Sequence, residues 1–197
     1  MAGYELNSND PLALFGEWMQ EAERSEPNDP NAVALATSTR EGAPSVRMVL
    51  IKRAHAGGFW FFTNAQSEKG LQLAENSRAA MCFHWKTLRR QVRIAGSVSV
   101  LPAANADEYF HSRSRRSQLG AAVSRQSRPL GSREQLEEQV RRFAEAYPQQ
   151  VPRPAYWQGY CLVPDRIEFW VDGEDRLHDR FLFERDGDRW AIQRLYP

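Results

Sequence analysis

Cysteine is scarce in this chain, with only Cys82 and Cys161 among 197 residues. Each lies inside an apolar run, and the pair provides neither a disulfide framework nor the spacing of a metal site, which is typical of a reducing compartment. The sequence also lacks a secretion signal at its start, and no uncharged apolar run approaches the ~20 residues that a membrane helix needs. We therefore expect a cytoplasmic protein that holds no metal and does not enter a membrane.

Charge of one sign is not in excess either. The chain has 26 Lys and Arg against 25 Asp and Glu, a formal net charge of +1, so its overall charge does not favour nucleic acid or an acidic membrane surface as a partner. One stretch departs from this balance, because residues 109–133 contain arginines but no acid. Its loop, 120–128, has no aromatic side chain on which an RNA base could stack, so we predict no nucleic-acid partner.

Apolar residues make up 42% of the chain, which is enough for one domain with a proper core. About nine short strands with a few helices between them predict a mainly β, α+β fold, an antiparallel barrel with helices packed outside. We place this domain at 10–197, after a tail at 1–9. The predicted helices run from Pro11, capped by Asp10, to before Ser25, and over Ser67–Asn76, Pro102 to about Ser117, and Glu134–Tyr147. The predicted strands are Val33–Thr39, Ser45–Lys52, Phe59–Thr63, Ala79–Trp85, Gln91–Leu101 with a bulge at Gly96, Trp157–Val163, two in a hairpin at Asp165–Arg185, and Arg189–Leu195.

The predicted hairpin at Asp165–Arg185 holds the first candidate site. If its second strand begins at Arg176, the alternation of side chains puts Arg176, His178 and Arg180 on one face. Cationic groups in line repel one another, and a bound anion or electron-rich ligand would reverse the sign of that interaction. Trp170, at the end of the first strand, could add a flat apolar wall. A solvated strand face neutralised by neighbouring aspartates explains the same residues, and both interpretations stay open here.

A second candidate site lies in the acid-free stretch. Tyr109, Arg113 and Ser117 are spaced four residues apart, so on one continuous helix they would stand along one face. A phenol, a guanidinium and a hydroxyl in a row provide one charge and several donors for a phosphate group. The alternative is a polar stripe on the surface of a helix end.

Two further segments carry charges where a strand ends. Arg47 and Lys52 border an apolar run, and their odd spacing would place them on opposite faces of a regular strand unless a bulge intervenes. The segment Phe62–Lys69 leads from a strand through a polar loop to a helix start, where free amides and a lysine suit a phosphate. The plainer interpretation of Arg47 and Lys52 is that they mark where the strand leaves the protein interior for water. The plainer interpretation of Phe62–Lys69 is an ordinary capped helix start.

Taken in order, these segments resemble the pyridoxamine (pyridoxine) 5′-phosphate oxidase family. Each segment alone is weakly specific, but the ordered set is highly specific and spans Asp10 to Pro197. The segments that carry the resemblance are Arg47–Lys52, Phe62–Lys69, Arg90–Val92, Tyr109–Gln118, Val123–Ser127, Ile167–Trp170, Arg176–Phe181 and Trp190–Pro197.

The resemblance implies a fold, a cofactor and a reaction. The fold is an antiparallel Greek-key split β-barrel, and the assembly is a homodimer with FMN at the subunit interface. The reaction is the oxidation of pyridoxamine or pyridoxine 5′-phosphate to pyridoxal 5′-phosphate, in which C4′ gives a hydride to flavin N5 and dioxygen leaves as hydrogen peroxide. A phenazine-type sister oxidase and a non-catalytic binder of FMN or pyridoxal phosphate remain the alternatives.

The resemblance also assigns roles to residues. The FMN site would comprise Arg47, Met48, Val49, Leu50, Ile51, Lys52, Phe62, Thr63, Ser67, Lys69, Gln91, Gln126, Ser127, Trp170 and Arg180, some of them from the second subunit. The substrate phosphate would be bound by Lys52, Tyr109, Arg113 and Ser117. Arg176 and His178 would bind the pyridine ring as the catalytic pair.

Two features depart from the family pattern. Glu68 stands where relatives often carry a second basic residue, and a carboxylate there cannot contact a phosphate dianion directly. Longer relatives also have an N-terminal arm with an Arg and a Tyr that closes over the substrate, whereas Tyr4 is the sole aromatic residue ahead of Asp10. We therefore expect that lid to be missing or replaced.

Overall fold

Apolar alternation along the chain produces one curled antiparallel sheet, a half-barrel with helices around it. The computed structural model describes residues 4–55 and 57–197, so part of the predicted tail, residues 1–3, lies outside the described residues. The strands are β1 Ala32–Ser38, β2 Pro44–Leu50, β3 Arg53–His55, β4 Gly58–Asn64, β5 Arg78–Trp85, β6 Arg90–Val100, β7 Trp157–Val171, β8 Asp179–Asp186 and β9 Arg189–Leu195. The helices are α1 Pro11–Ser25, α2 Glu68–Glu75, α3 Ala103–Ser112, α4 Arg115–Val123 and α5 Arg133–Ala146, with a 3₁₀ turn at Glu174–Arg176. None of these helices is long and apolar enough to cross a membrane.

The long strand β7 organises the sheet. One edge of β7 pairs with β6 through most of its length, and the other edge pairs first with β4 and then, after Pro164, with β8. The resulting strand order is β2-β1-β5-β6-β7-β4-β3, with β8 and β9 branching from β7. Because one strand changes its neighbour half-way, the sheet curls and encloses an aromatic core.

Helix α1 closes one side of that core, as its sequence predicts. The Asp10 side chain accepts a hydrogen bond from the Leu12 amide at 2.9 Å, and Pro11 occupies the first helical position. The helix buries Phe15 and Trp18 almost completely, each 1% exposed, against aromatic residues of the sheet such as Phe83 and Phe169. The predicted amphipathic helix is therefore confirmed, and it packs by its apolar face.

The predicted helix from Pro102 to about Ser117 is wrong, because the structure has two helices there. Arg113 has extended backbone angles (φ −75°, ψ 157°), and the Ser114 side chain caps α4 by accepting from the Ser117 amide. The Gln118 amide side chain donates to the Arg113 carbonyl at 2.8 Å, so a carbonyl at the end of α3 has a partner. A serine cap thus competes successfully with continuous helical spacing.

The predicted hairpin is wrong in its second strand, which begins at Asp179 rather than at Arg176. Asp175 and Arg176 have left-handed backbone angles, with φ of 53° and 65°, so strand alternation does not apply to Arg176 or His178. A Cβ atom at Gly173 would also collide with the Leu177 carbonyl. The chain therefore makes a wider bend than a two-residue turn.

Three smaller points complete the comparison with the sequence. The segments predicted as separate strands around Pro164 form one strand, β7, and β3 was not predicted. The predicted irregularity at Gly96 is confirmed by a register shift between Ala95 and Gly96. β2 is an edge strand on which Val46 and Met48 are exposed, with 68% and 64% of their surface accessible.

Two glycine substitutions test this packing in opposite directions. Gly96→Ala places a Cβ against the Val163 carbonyl and should lower the free energy of unfolding by about 1–3 kcal/mol. Gly16→Ala, in α1 with no atom near the added carbon, should raise it by about 0.5–1 kcal/mol. Urea denaturation followed by circular dichroism measures the free energy of unfolding of both variants. Equal changes in the two variants would contradict the close backbone approach at Gly96.

Candidate active site

One cavity of about 770 Å³ gathers most of the residues singled out in the sequence. It lies between β2, the end of β4, the start of α2, and helices α3 and α4. The predicted residues that line it are Arg47, Met48, Val49, Leu50, Lys52, Phe62, Thr63, Lys69, Tyr109, Arg113, Ser117, Gln126 and Ser127. β2 ends at Leu50, so the opposite-face rule does not apply to Lys52, and both basic residues of this segment reach one cavity.

The first cationic pole of the cavity consists of Arg47 and Lys69. Neutral oxygens hold the Arg47 guanidinium, with Thr37 Oγ1 at 2.6 Å and Ser45 Oγ at 2.7 Å. Lys69 is only 7% exposed, and its Nζ donates to Gln126 Oε1 at 3.1 Å. In the part of the chain described, neither cation has a carboxylate at salt-bridge distance. Neutral groups therefore hold both cations of the pole in place.

Burial has an electrostatic cost at this pole. Desolvation lowers the pKa of Arg47 and of Lys69, and the nearby Arg47 charge lowers the pKa of Lys69 further. A phosphate group would offset both effects, since an opposite charge favours the protonated lysine and the guanidinium. The start of α2 lies beside the pole and adds the positive end of a helix dipole.

Two predicted residues, Ser67 and Ile51, do not line the cavity. Ser67 is fully buried, and its Oγ donates to the Asn64 carbonyl at 2.6 Å and accepts from the Gly70 amide at 3.4 Å. It also accepts from Lys69 Nζ at 3.2 Å, so it supports the cation. Ile51 is 4% exposed and belongs to the core.

The second cationic pole contains Lys52, Tyr109, Arg113 and Ser117. Although the predicted single helix is broken, all four residues line the cavity. The Arg113 guanidinium lies 5.2 Å from the ring centre of Trp157, and its Nη1 is buried without a hydrogen-bond partner among the described residues. Burial lowers the pKa of Arg113. An unpartnered buried cationic nitrogen that faces a cavity marks a place for an anionic ligand.

Aromatic rings form the wall of the second pole. Phe62 lies 4.4 Å from Tyr109 and 5.5 Å from Trp157, measured between ring centres, and Lys52 Nζ lies 5.6 Å from the Tyr109 ring. The sequence did not single out Trp157, and its position directly after a Pro-rich loop was the available signal. A flat ring could lie between the two cationic poles against this apolar wall.

The remaining predicted residues form a second group on another part of the sheet. Gln91 pairs with Trp170, and Trp170 with Arg180, so these residues lie side by side across β6, β7 and β8. Arg180 is held by Glu168, with Nε to Oε1 at 2.8 Å. None of them lines the large cavity, and Gln91 lines a separate cleft of about 510 Å³.

Arg176 and His178 belong to this second group. The His178 ring lies 4.6 Å from the Trp170 ring, and its Nδ1 lies 3.1 Å from both Asp172 Oδ1 and the Gly173 amide nitrogen. Arg176 is exposed at the 3₁₀ turn. Sequence reasoning missed Asp172 as a partner of His178, because it assigned the residue only to the turn.

Tyr4, the first residue that the structure describes, does not line the cavity. Tyr4 packs edge-on against Trp18, with ring centres 5.7 Å apart, and its hydroxyl accepts from Trp18 Nε1 at 3.1 Å. Its backbone amide donates to Asp179 Oδ2 at 2.7 Å, which ties the segment to the start of β8. Tyr4 is therefore part of the barrel packing, and it does not line the cavity.

Comparison with known proteins places the chain in a family. Residues 19–147 match the model of the pyridoxamine 5′-phosphate oxidase family. The chain belongs to that family. Residues 157–197 match the pyridoxine 5′-phosphate oxidase C-terminal dimerisation region, which contains most of the second group described above.

Relatives within the family are similar over nearly their whole length. The pyridoxine/pyridoxamine 5′-phosphate oxidase of Rhodospirillum rubrum is 54% identical over 198 residues, covering 98% of each chain. That of Gluconobacter oxydans is 53% identical over 189 residues, covering 95% of this chain and 94% of the relative.

Solved structures share the split-barrel fold. PhzG from Burkholderia lata, in complex with tetrahydrophenazine-1-carboxylic acid, superimposes with a TM-score of 0.91 at 32% identity, covering 97% of this chain and 94% of PhzG. A related FMN-binding protein from Nostoc punctiforme superimposes with a TM-score of 0.79 at 16% identity, covering 96% and 100%, and supports the fold alone.

The Arg113 Nη1 atom, which has no hydrogen-bond partner in the described residues, predicts a stabilising substitution. Arg113→Met removes a desolvated charge while keeping an apolar stem against Trp157, so the free energy of unfolding of the ligand-free protein should rise by about 1 kcal/mol. Arg116→Met, at an exposed position of α4, is the matched control and should change it by less than about 0.5 kcal/mol. Urea denaturation measures both variants. A clear loss of stability in Arg113→Met, with Arg116→Met unchanged, would show that the Arg113 charge does not destabilise the ligand-free protein.

Proposed function

We propose that this chain is an FMN-dependent oxidase that converts pyridoxamine 5′-phosphate or pyridoxine 5′-phosphate to pyridoxal 5′-phosphate. Dioxygen is the electron acceptor and hydrogen peroxide the second product. The observation that carries the proposal is one cavity with two separate cationic poles, Arg47 with Lys69 and Lys52 with Arg113. Two phosphorylated molecules that react with each other need two such poles. The names of relatives more than 50% identical agree with this proposal.

The first pole fits the phosphate of FMN. Arg47 and Lys69 supply charge, and the start of α2 supplies the positive end of its dipole. The β2 segment and Phe62 would lie along the flavin, which supplies the hydride acceptor when bound. Thr63 and Gln126 hold the lysine at hydrogen-bond distance, 3.4 and 3.1 Å from Nζ, so the pole is fixed before the phosphate arrives.

The second pole fits the phosphate of the substrate. Lys52 and Arg113 provide charge, Tyr109 and Ser117 provide hydroxyl donors, and Arg113 Nη1 has no other partner in the described residues. Binding at the phosphate anchors the molecule away from its reacting carbon, so the binding energy serves to orient C4′. The wall of Phe62 and Trp157 excludes water from one side.

The catalytic pair would come from a second copy of the chain. Arg176 and His178 do not line the large cavity of their own chain, and they lie in the segment that matches the dimerisation region. We propose a homodimer in which each copy lends Arg176 and His178, with Gln91, Trp170 and Arg180, to the cavity of the other. Asp172 would hold the His178 ring while it moves a proton at the substrate amine or hydroxyl.

A second candidate is an oxidase of the phenazine type, favoured by the structural similarity to PhzG. The second pole suits a carboxylate as well as a phosphate, since both are anions that accept hydrogen bonds from Lys52 and Arg113. The substrates must therefore be compared directly. A protein that binds FMN or pyridoxal phosphate without catalysis is the third possibility, and it makes no peroxide.

Peroxide formation by the FMN-loaded protein tests the proposal. We expect hydrogen peroxide and pyridoxal 5′-phosphate from pyridoxamine or pyridoxine 5′-phosphate. With unphosphorylated pyridoxine, kcat/KM should be at least 100-fold lower, because the charged contact to the phosphate, a few kcal/mol, is lost. Arg176→Ala should lower turnover at least tenfold with FMN still bound. The proposal would be overturned if peroxide formed only with a tetrahydrophenazine carboxylic acid, or with none of the substrates tested. If Arg176→Ala kept the turnover of the wild type, Arg176 would have no catalytic role.

The lowered pKa of Lys69 predicts a pH dependence of FMN binding. In the ligand-free protein burial brings this pKa below the ordinary 10.5, and a bound phosphate dianion would raise it again. The affinity for FMN should therefore stay constant from about pH 7, where the phosphate is a dianion, to the lowered pKa and fall as the pH rises beyond it. Fluorescence titration measures this, with riboflavin, which lacks the phosphate, as the control.

Replacement of the lysine separates its titration from other effects of alkaline pH. Lys69→Arg keeps a cation that does not titrate in this range, so its FMN affinity should be flat up to pH 10. If the FMN affinity of wild type and of Lys69→Arg fell in parallel with rising pH, or if riboflavin affinity fell in the same way, the pH dependence would belong to another group.

A further inference from the structure

A single carboxylate faces the large cavity. Of the described residues that line it, Glu68 is the one acid, among the cations Arg47, Lys52, Lys69 and Arg113. It is the first residue of α2, beside the pole assigned above to a phosphate. A negative charge at a phosphate site needs its own explanation, since it opposes the ligand that the cations attract.

Glu68 is held in place at this position. Its Oε1 accepts from Ser45 Oγ at 3.0 Å, and the same Ser45 Oγ accepts from Arg47 Nη2 at 2.7 Å. The Gln72 side chain lies 3.5 Å from Oε1, and the Glu68 amide donates to Ser127 Oγ at 3.2 Å. One hydroxyl group therefore links the carboxylate of this exposed residue to the guanidinium.

The carboxylate acts on both cations of the pole. Burial lowers the pKa of Arg47 and of Lys69, and the charge of Glu68 partly offsets this for each of them. Without a phosphate, Glu68 thus compensates two buried like charges that have no other carboxylate nearby in the described residues. With a phosphate dianion bound, the same charge repels the ligand.

We infer that Glu68 is a built-in counter-charge of the phosphate pole, which stabilises the ligand-free protein and weakens the binding of FMN. The inference rests on the proposed function, because it takes the pole to be the site of the FMN phosphate. Glu68 does not contact the reacting atoms and acts through Ser45 and Arg47, so it is a residue that determines cofactor affinity. Its removal should tighten FMN binding about tenfold, which corresponds to about 1.4 kcal/mol.

The test compares Glu68→Gln with a matched control. Glutamine keeps the shape and can still accept from Ser45, while the charge is lost. Glu75→Gln removes an exposed carboxylate from the other end of the same helix. The ligand-free proteins are titrated with FMN and with riboflavin at pH 8 and low salt, and binding is followed by flavin fluorescence. We expect about tenfold tighter binding of FMN by Glu68→Gln only, with riboflavin affinity unchanged in all three proteins.

A second readout separates a charge effect from a structural one. Glu68→Gln should melt at a lower temperature than wild type without FMN and at a higher temperature with saturating FMN, whereas a mere packing defect would lower both. Unchanged or weaker FMN binding in Glu68→Gln, with wild type binding FMN and forming peroxide, would overturn the inference and leave the proposed function intact. A wild-type protein that binds FMN no better than riboflavin would overturn both.

Discussion

The change of partner along β7 is the constraint on which the rest of the molecule depends. The first half of this strand pairs with β4 and the second with β8, while β6 lies along the opposite edge. The β4 side leads into α2 and the phosphate pole with Lys69, and the β8 side carries Arg180 beyond the bend that holds His178. A single strand therefore separates the two groups of predicted site residues in one chain, and in the proposed function the two groups meet by association of two chains.

The cavity is built from charges that cost stability until a ligand arrives. Arg47 is held by a serine, a threonine and main-chain carbonyls, and Lys69 by a serine, a threonine and a glutamine, so neutral groups alone fix their positions. Arg113 has a buried nitrogen that finds no hydrogen-bond partner in the described part of the chain. Such sites are typical of proteins that hold binding groups in position before the ligand binds. Glu68 limits this cost at one pole and leaves the other uncompensated.

The sequence predicted those parts of the fold that local chemistry decides. The cap at Asp10, the buried face of α1 and the irregularity at Gly96 follow from a side chain, a spacing and a missing Cβ, and each is confirmed. The membership of the cavity could be predicted only through the resemblance to a family, because residues from β2, β4 and α4 meet in space without any shared spacing. No periodicity within one segment contains that information.

Two errors have a common physical origin. At Arg113 and at Arg176 the sequence continues a regular repeat while the backbone departs from it. At Arg113 the helix ends before a serine cap, and at Arg176 the backbone has left-handed angles. Both departures occur at arginines assigned to the substrate. Backbone irregularity next to functional residues is common, since a regular element would aim the side chain along the sheet or helix instead of toward a ligand.

The edge strand β2 carries a consequence for handling the protein in solution. Arg47, Val46 and Met48 of this strand all line the cavity, and the last two are largely exposed on a strand at the edge of the sheet in the described residues. Exposed apolar edges of this kind are starting points for aggregation by strand addition. Mild destabilisation would therefore threaten solubility and the geometry of the cavity together, because one strand, Pro44–Leu50, forms this edge and contributes residues to the cavity.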